Sequence, residues 1–512
     1  MRPNDKPLAL SLLFAVVACG EPLATITVEL DVPAVEALDP FRYSDRMVSV
    51  RVLVDGPDRF DDAASDLALT DRTASFESFP AERAVKVVVE GLDRLGNQVG
   101  YGDVENFQVD DDVSVKIPFR RPLAYVVHRP ICGGACADGE ACVNVLDGYE
   151  CRPEIVDTEC VDEMGGALAC EAGTACVEYR GGPACRPKLS RGSPGTSLVY
   201  VVDLLTRALV DRVTIPGTAP RALSISARGG DGVMVTYTDG GKGYAGLLKS
   251  SDHQWETLEL PAIQDLALLG AGQDIGMAMG GGQITVFDWA KKSVVRKDGV
   301  GGRVLDGKLG HGGRRALFVL NKEPGAILVQ PDVPSNQNVS IAVLGAAGVA
   351  VNGEGRLGYI TSSLEQSVTG VDIERSGTAQ KLGGGLAAPC GAAAYSSAIE
   401  AIVCIEAGSN PRPRIHSYSI ATYAGSKLEN AVGALPEPSG IASGPGGARL
   451  VVVSAGTTTT SAGLTMIDTD LEKGLDGSTV SYPRDPDDTF LLGSSTIHQR
   501  YHANRVAVLY GR

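Results

Sequence analysis

The chain has 512 residues, a net charge of −16, 44% apolar and 21% charged residues, and 63 glycines against only 5% aromatics. That charge argues against a nucleic-acid partner, because phosphate binding needs a basic face. The apolar share excludes a disordered chain, the glycine content favours a turn-rich β protein, and the length allows about three or four domains.

Arg2 and Lys6 precede an apolar run over residues 8–17, long enough for a secretory signal and too short to cross a bilayer as a helix. Val16-Val17-Ala18-Cys19 resembles the lipobox of bacterial lipoproteins. The resemblance implies cleavage before Cys19, thioether attachment of diacylglycerol to its sulfur and acylation of the new amine. Residues 1–18 would then be signal peptide and 19–23 a lipidated tether. The alternative is an ordinary signal peptide with a chance cysteine at its end. Each buried acyl methylene contributes about 0.8 kcal/mol, so an anchored body need not itself be apolar. Gly20 and Glu21 follow Cys19, and the lack of an aspartate there implies sorting to the outer membrane of a bacterial cell envelope. No later segment is apolar for long enough to span a membrane.

Residues 24–125 alternate apolar and polar side chains at 24–31 (ATITVELD), 47–55 (MVSVRVLVD), 83–90 (RAVKVVVE) and 112–119 (DVSVKIPF), with a further strand at 98–106 after the loop 91–97. Period-two alternation predicts half-buried strands and an immunoglobulin-like or transthyretin-like β-sandwich of about seven strands. Asp61-Asp62 and Asp110-Asp111-Asp112 carry the oxygens calcium uses, but solvated sandwich loops are acidic too, and no metal is expected there.

Residues 129–188 form two tandem four-cysteine modules. Cys132, Cys136, Cys142 and Cys151 follow C-x3-C-x5-C-x8-C, and Cys160, Cys170, Cys176 and Cys185 follow C-x9-C-x5-C-x8-C. The surrounding sequence repeats as well (CADGEACVNVLDGYECRP, CEAGTACVEYRGGPACRP), which marks a duplication. So few aliphatic residues cannot hold a core without disulfides or a metal. Zinc would want C-x2-C knuckles, which neither module has, and an exported chain meets an oxidising compartment, so disulfides are expected. Cys142-Val143-Asn144 and Gly148-Tyr149-Glu150-Cys151 resemble the hairpin of EGF-like domains, truncated here by the loss of the last cysteine pair. The resemblance implies bridges from first to third and second to fourth cysteine, although four cysteines allow three pairings. Such modules act as stiff spacers between domains.

After a Pro, Gly and Ser-rich linker at 189–196, a strand closed by aspartate recurs at Asp203, Asp288, Asp372 and Asp468, with separations of 85, 84 and 96 residues. Weaker copies lie midway, near Lys249, Asp332 and Ser419, giving seven copies at a step of about 44 residues, the length of a propeller blade. Residues 198–226 resemble the YVTN repeat of bacterial surface β-propellers through Asp203, Thr206, Val213-Thr214-Ile215, Gly217, Pro220 and Leu223. The expected architecture is all-β: sandwich, disulfide-rich modules, and a seven-bladed β-propeller over 197–512. The propeller would close by sharing one blade between its ends, with 489–495 and 505–510 as first and second strands and 198–203 as third. The aspartates read as turn caps. Cys390 and Cys404 are spaced for a bridge across a hairpin, which would place ten cysteines in five bridges.

Catalytic signals are sparse. The six histidines show no metal-ligand spacing, Trp255 and Trp289 are too few for a quinone-dependent propeller, and there is no G-x-S-x-G elbow. Gly280-Gly281-Gly282 reads as a turn, not a phosphate loop. The expected function is therefore an envelope-anchored monomeric scaffold whose propeller binds a protein or glycan, without a cofactor. The enzymatic alternative is a lactonase-like, metal-assisted hydrolase using Asp485, Asp487 and Asp488 with His498 or His502.

Overall fold

Alternation organises the first unit of the computed structural model. The model describes residues 22–508 apart from internal stretches, the longer of which include 43–46, 57–62, 131–139, 161–165, 188–196, 408–414, 428–437, 455–462, 469–488 and 492–500. Strands Thr73–Pro80, Leu23–Asp31 and Val113–Pro118 form one sheet, and Ala63–Leu67, Ser49–Asp55, Arg83–Leu92 and Gln98–Val109 form another. Their inward residues, among them Ile26, Val28, Val50, Val52, Val54, Val87 and Ile117, are fully buried in one shared core. Each such side chain contributes about 1.5–3 kcal/mol by leaving water. The molecule is all-β, with no α-helix among the described residues.

Two short hairpins of the cysteine modules and seven four-stranded antiparallel sheets make up the rest of the described strands. Sheets 1 to 6 cover 221–260, 266–299, 304–342, 346–381, 390–427 and 438–491, each in simple up-and-down order. Their second and third strands are apolar on both faces, as in Gly232–Asp239, Gly325–Val329 and Ala401–Glu406, because each sheet is covered by its neighbours. Fourth strands alternate instead, as in Ser293–Gly299. The first strand of each sheet lies against the first strand of the next. The approach is close: a Cβ on Gly348 would sit 2.2 Å from the Gly391 carbonyl oxygen. Side chains tie the sheets in succession. Ser226 Oγ donates to Ala267 O (2.8 Å), Arg296 to Gln330 O (3.2 Å), Val349 N to Asp306 Oδ2 (3.1 Å), and Thr361 Oγ1 to Gly391 O (2.7 Å).

The seventh sheet corrects the expected closure. Its order is Tyr501–Val508, Leu123–Pro130, Leu198–Asp203, Leu209–Thr214. Leu198–Asp203 is third, as expected, but the C-terminal part supplies one strand, not two, and the second strand comes from before the cysteine modules. Residues Thr489–Leu491 belong to sheet 6 instead. Strand Tyr501–Val508 also lies against Arg221–Ala227 of sheet 1 and Pro438–Ser443 of sheet 6, so the run of contacts returns to its start.

The cysteine modules are consequently an insertion between two adjacent strands of the seventh sheet, not a spacer between domains, and residue 125 falls inside a strand of that sheet. Leu198 pairs with His128 and Asp203 with Leu123 on either side of the insertion. The modules pack on each other. Hairpins Glu140–Val145/Gly148–Pro153 and Thr174–Tyr179/Gly182–Pro187 share a small core of Ala141, Val143, Ala175 and Val177, and Ile155 N donates to Cys176 O at 2.8 Å. Because the register is set on both sides and puts residue 129 opposite 197, replacing residues 130–196 by an Asn-Gly turn should leave the array of sheets folded, with its melting temperature within about 2 °C. Loss of the cooperative transition in a thermal scan would show that the modules are part of the array's own core.

Candidate functional site

Antiparallel order sorts the connections to two ends. The turns between second and third strands and the connections from fourth to next first strand lie at one end, called upper here; the other turns lie at the lower end. Adjacent lower turns meet directly, Arg228 donating from sheet 1 to the carbonyls of Gly270 (3.3 Å) and Gln273 (3.1 Å) in sheet 2.

The sandwich docks at the lower end through Arg120 and Arg121. Arg120, 3% exposed, donates from Nη2 to Asp31 Oδ2 (2.7 Å), from Nε to Ser250 Oγ (2.7 Å) in a lower turn of sheet 1, and from Nη1 to the carbonyls of Asp31 and Phe119. Arg121 pairs with the fully buried Asp203 and donates to Ala37 O. Asp203 is an ion-pair partner, and most of the turn that follows it lies outside the described residues. Asp288 and Asp372 do cap turns, accepting from Lys291 N and Arg375 N at 2.9 Å each. The side chain of Asp468 lies outside the described residues.

A relay-like chain sits at the same junction. The Tyr125 hydroxyl meets His253 Nε2 at 3.1 Å, and His253 Nδ1 meets Asp211 Oδ2 at 2.6 Å. The carboxylate fixes the proton on Nδ1, so the tyrosine donates to Nε2. Tyr125 is fully buried, and desolvation, opposed by Arg120, holds its hydroxyl above its ordinary value. No substrate reaches that oxygen; the chain ties the seventh sheet to sheet 1.

The upper end carries an open cleft of about 520 Å³ where sheets 2 and 3 meet. Its walls are Ile263 and Asp265, the turn Gly281-Gly282, the connection Gly302-Arg303, and Asn321 and Lys322 in the second-to-third turn of sheet 3. Gly281 (φ 56°) and Gly282 (φ 74°) take left-handed backbone that only glycine adopts freely, as expected of a turn. The rim is stitched by backbone: Val300 N donates to Gly282 O (2.7 Å), Asn321 N to Arg303 O (3.0 Å), and Arg303 N to Asn321 Oδ1 (2.7 Å). Arg303, 70% exposed, lies 3.5 Å from Asp265. Lys322 makes no ion pair among the described residues, and Ile263 is 44% exposed. Farther round the same end, Leu344 and Leu364 are exposed, on a turn where Ser362 Oγ donates to Leu344 O (2.7 Å) and accepts from Glu365 N (2.8 Å). Where six first strands converge, a second cavity of about 130 Å³ is lined by the polar Ser226, Asp306 and Lys308, the apolar Ile225, Leu266, Leu305 and Ile441, and small residues. It has room for a few waters.

The cysteines fall as follows. Disulfides join Cys160 to Cys176 and Cys170 to Cys185, the order the EGF-like resemblance implies, and Cys390 to Cys404. The sulfurs of Cys160, Cys170 and Cys185 lie within 4.8 Å of one another, but all three are in S–S bonds and cannot ligate a metal as thiolates. Cys142 and Cys151 are opposite each other in their hairpin; Cys132 and Cys136 lie outside the described residues, as do Cys19, Asp61, Asp62, Asp485, Asp487, Asp488 and His498. His502 pairs in register with Arg129. Asp112 accepts from Thr25 N (2.7 Å) and Asp110 from Gln108 Nε2 (3.0 Å), so both serve the fold. Trp255 Nε1 donates to Thr214 O (3.0 Å), and the Lys292 ammonium sits 3.4 Å over the Trp289 ring. None of the cleft residues except the glycines carries a sequence signal: they come from four connections and form no motif.

No protein-family model matches the chain, and no curated protein matches it. Among solved structures, hydrazine synthase from Kuenenia stuttgartiensis is similar at TM-score 0.32 and 11% identity over 39% of this chain and 61% of that one. A chain of a mitotic checkpoint complex gives 0.40 and 11% over 59% and 86%, and a functionally unknown protein from Desulfotomaculum acetoxidans gives 0.45 and 9% over 62% and 96%. Likeness at that level identifies neither a family nor an activity.

Proposed function

We propose that this chain is an outer-membrane lipoprotein, tethered through Cys19, in which a closed seven-bladed β-propeller serves as a binding scaffold for a protein or glycan. The propeller reading is supported by seven four-stranded sheets in up-and-down order and by first-strand contacts that return to their start. The observation that carries the scaffold reading is polarity: sandwich and cysteine modules leave opposite ends of the array.

Geometry then sets the direction in which the array is presented. Three residues separate Cys19 from Leu23, four Cα-to-Cα steps with a reach of at most about 14 Å. Strand Leu23–Asp31 begins at an exposed Leu23 and ends at Asp31, which Arg120 fastens to the lower end. Nine residues of strand span about 26 Å, so the sandwich is a pillar with its lipid at one pole and the array at the other. The upper end, with its cleft and the cysteine modules, is turned away from the membrane. In a bacterial host, the wild-type chain should fractionate with membranes and the Cys19→Ser variant with the soluble fraction. Equal partition of the two by immunoblot would refute the anchor.

A further inference from the structure

We infer that the upper-end cleft between sheets 2 and 3 is the glycan site of this scaffold and takes a carboxylated sugar, a uronic acid unit. This rests on the scaffold reading and deepens it. The lining is mixed in the manner sugar hydroxyls require: one carboxylate (Asp265), one side-chain amide (Asn321), a guanidinium (Arg303), an ammonium (Lys322) and turn backbone freed by glycines. Ile263 supplies the single apolar surface, enough to cover a sugar face and too little to bury a peptide side chain.

Charge selects among sugars. Among the described lining residues, Arg303 and Lys322 stand against Asp265, which leaves one positive charge in excess at a cleft on a chain of net charge −16. The global field repels polyanions, so the local excess suits one carboxylate held at short range, not an extended anionic chain. Asp265 already lies beside Arg303, which leaves the Lys322 ammonium, without an ion pair among the described residues, as the main partner for the ligand's carboxylate. No aromatic side chain lines the cleft, so affinity rests on polar contacts and falls with salt.

The test is calorimetric titration of the purified full chain with digalacturonic acid and with its neutral dimethyl ester. The acid should bind and the ester about tenfold more weakly, with the acid's affinity dropping as salt is raised. Lys322→Glu should weaken the acid by about tenfold or more while leaving the melting temperature unchanged, since Lys322 is exposed. Equal binding of acid and ester, an unaltered affinity in Lys322→Glu, or no heat with the acid would each overturn the inference. A protein partner recovered on the wild-type chain alongside such a result would leave the scaffold reading standing and remove only the sugar.

Discussion

Replacing Arg120 by methionine is expected to destabilise the chain by about 2–4 kcal/mol and to split its thermal unfolding, with the sandwich melting before the array. Methionine fills much of the stem's volume but supplies none of the donors to Asp31, Ser250 and Phe119. The loss falls short of the largest seen for broken buried pairs, because Asp31 is 31% exposed and keeps Lys116 at 3.2 Å, and Ser250 Oγ still donates to Gly230 O. Changing Asp31 to Asn in the same chain should recover little of the loss, because solvent and Lys116 still serve the carboxylate and the lost donors to Ser250 and Phe119 are not replaced. Acid should act on the same contact. Burial pushes the Asp31 carboxyl up, but Arg120 and Lys116 outweigh it and hold the group below its ordinary 3.8. A depressed carboxyl adds stability above the unfolded value and loses it as pH falls through the folded one, so the wild type should lose this contribution below about pH 4. The Arg120→Met chain should show a shallower loss there. A single transition at the wild-type temperature would mean that the two units are held together elsewhere.

What the sequence disclosed follows from how local each signal is. Alternation at Val50, Val52 and Val54 needs only neighbouring residues to be read, and the sandwich core contains all three. Cys160 to Cys185 could be paired because a resemblance supplied an order that spacing alone left open. Strand Leu123–Pro130 was missed for the opposite reason. LAYVVHRP is an apolar run directly after a sandwich strand, and its true partners, Leu198–Asp203 and Tyr501–Val508, are far along the chain. Nothing local states that register. The cleft was invisible on the same grounds, since Asp265, Arg303 and Lys322 are ordinary loop residues until four connections are brought to one rim.

Deleting residues 501–512 is the largest perturbation the topology offers. Strand Tyr501–Val508 pairs along Leu123–Pro130, from Tyr501 opposite Pro130 to Val508 opposite Ala124, and touches the first strands of sheets 1 and 6. Without it, Leu123–Pro130 becomes a bare edge with a row of unpaired backbone groups. If the array is the closed propeller proposed above, every other sheet then loses the constraint that the cycle imposes. The truncated chain should aggregate or unfold without a sharp transition. Closure by strand addition also predicts rescue. A synthetic peptide of residues 498–512 should bind the truncated chain and restore its cooperative melt, because the vacant edge from Ala124 to Arg129 presents backbone donors and acceptors. A truncated chain that melts as sharply as the intact one, and ignores the peptide, would mean that the sheets stand without closure.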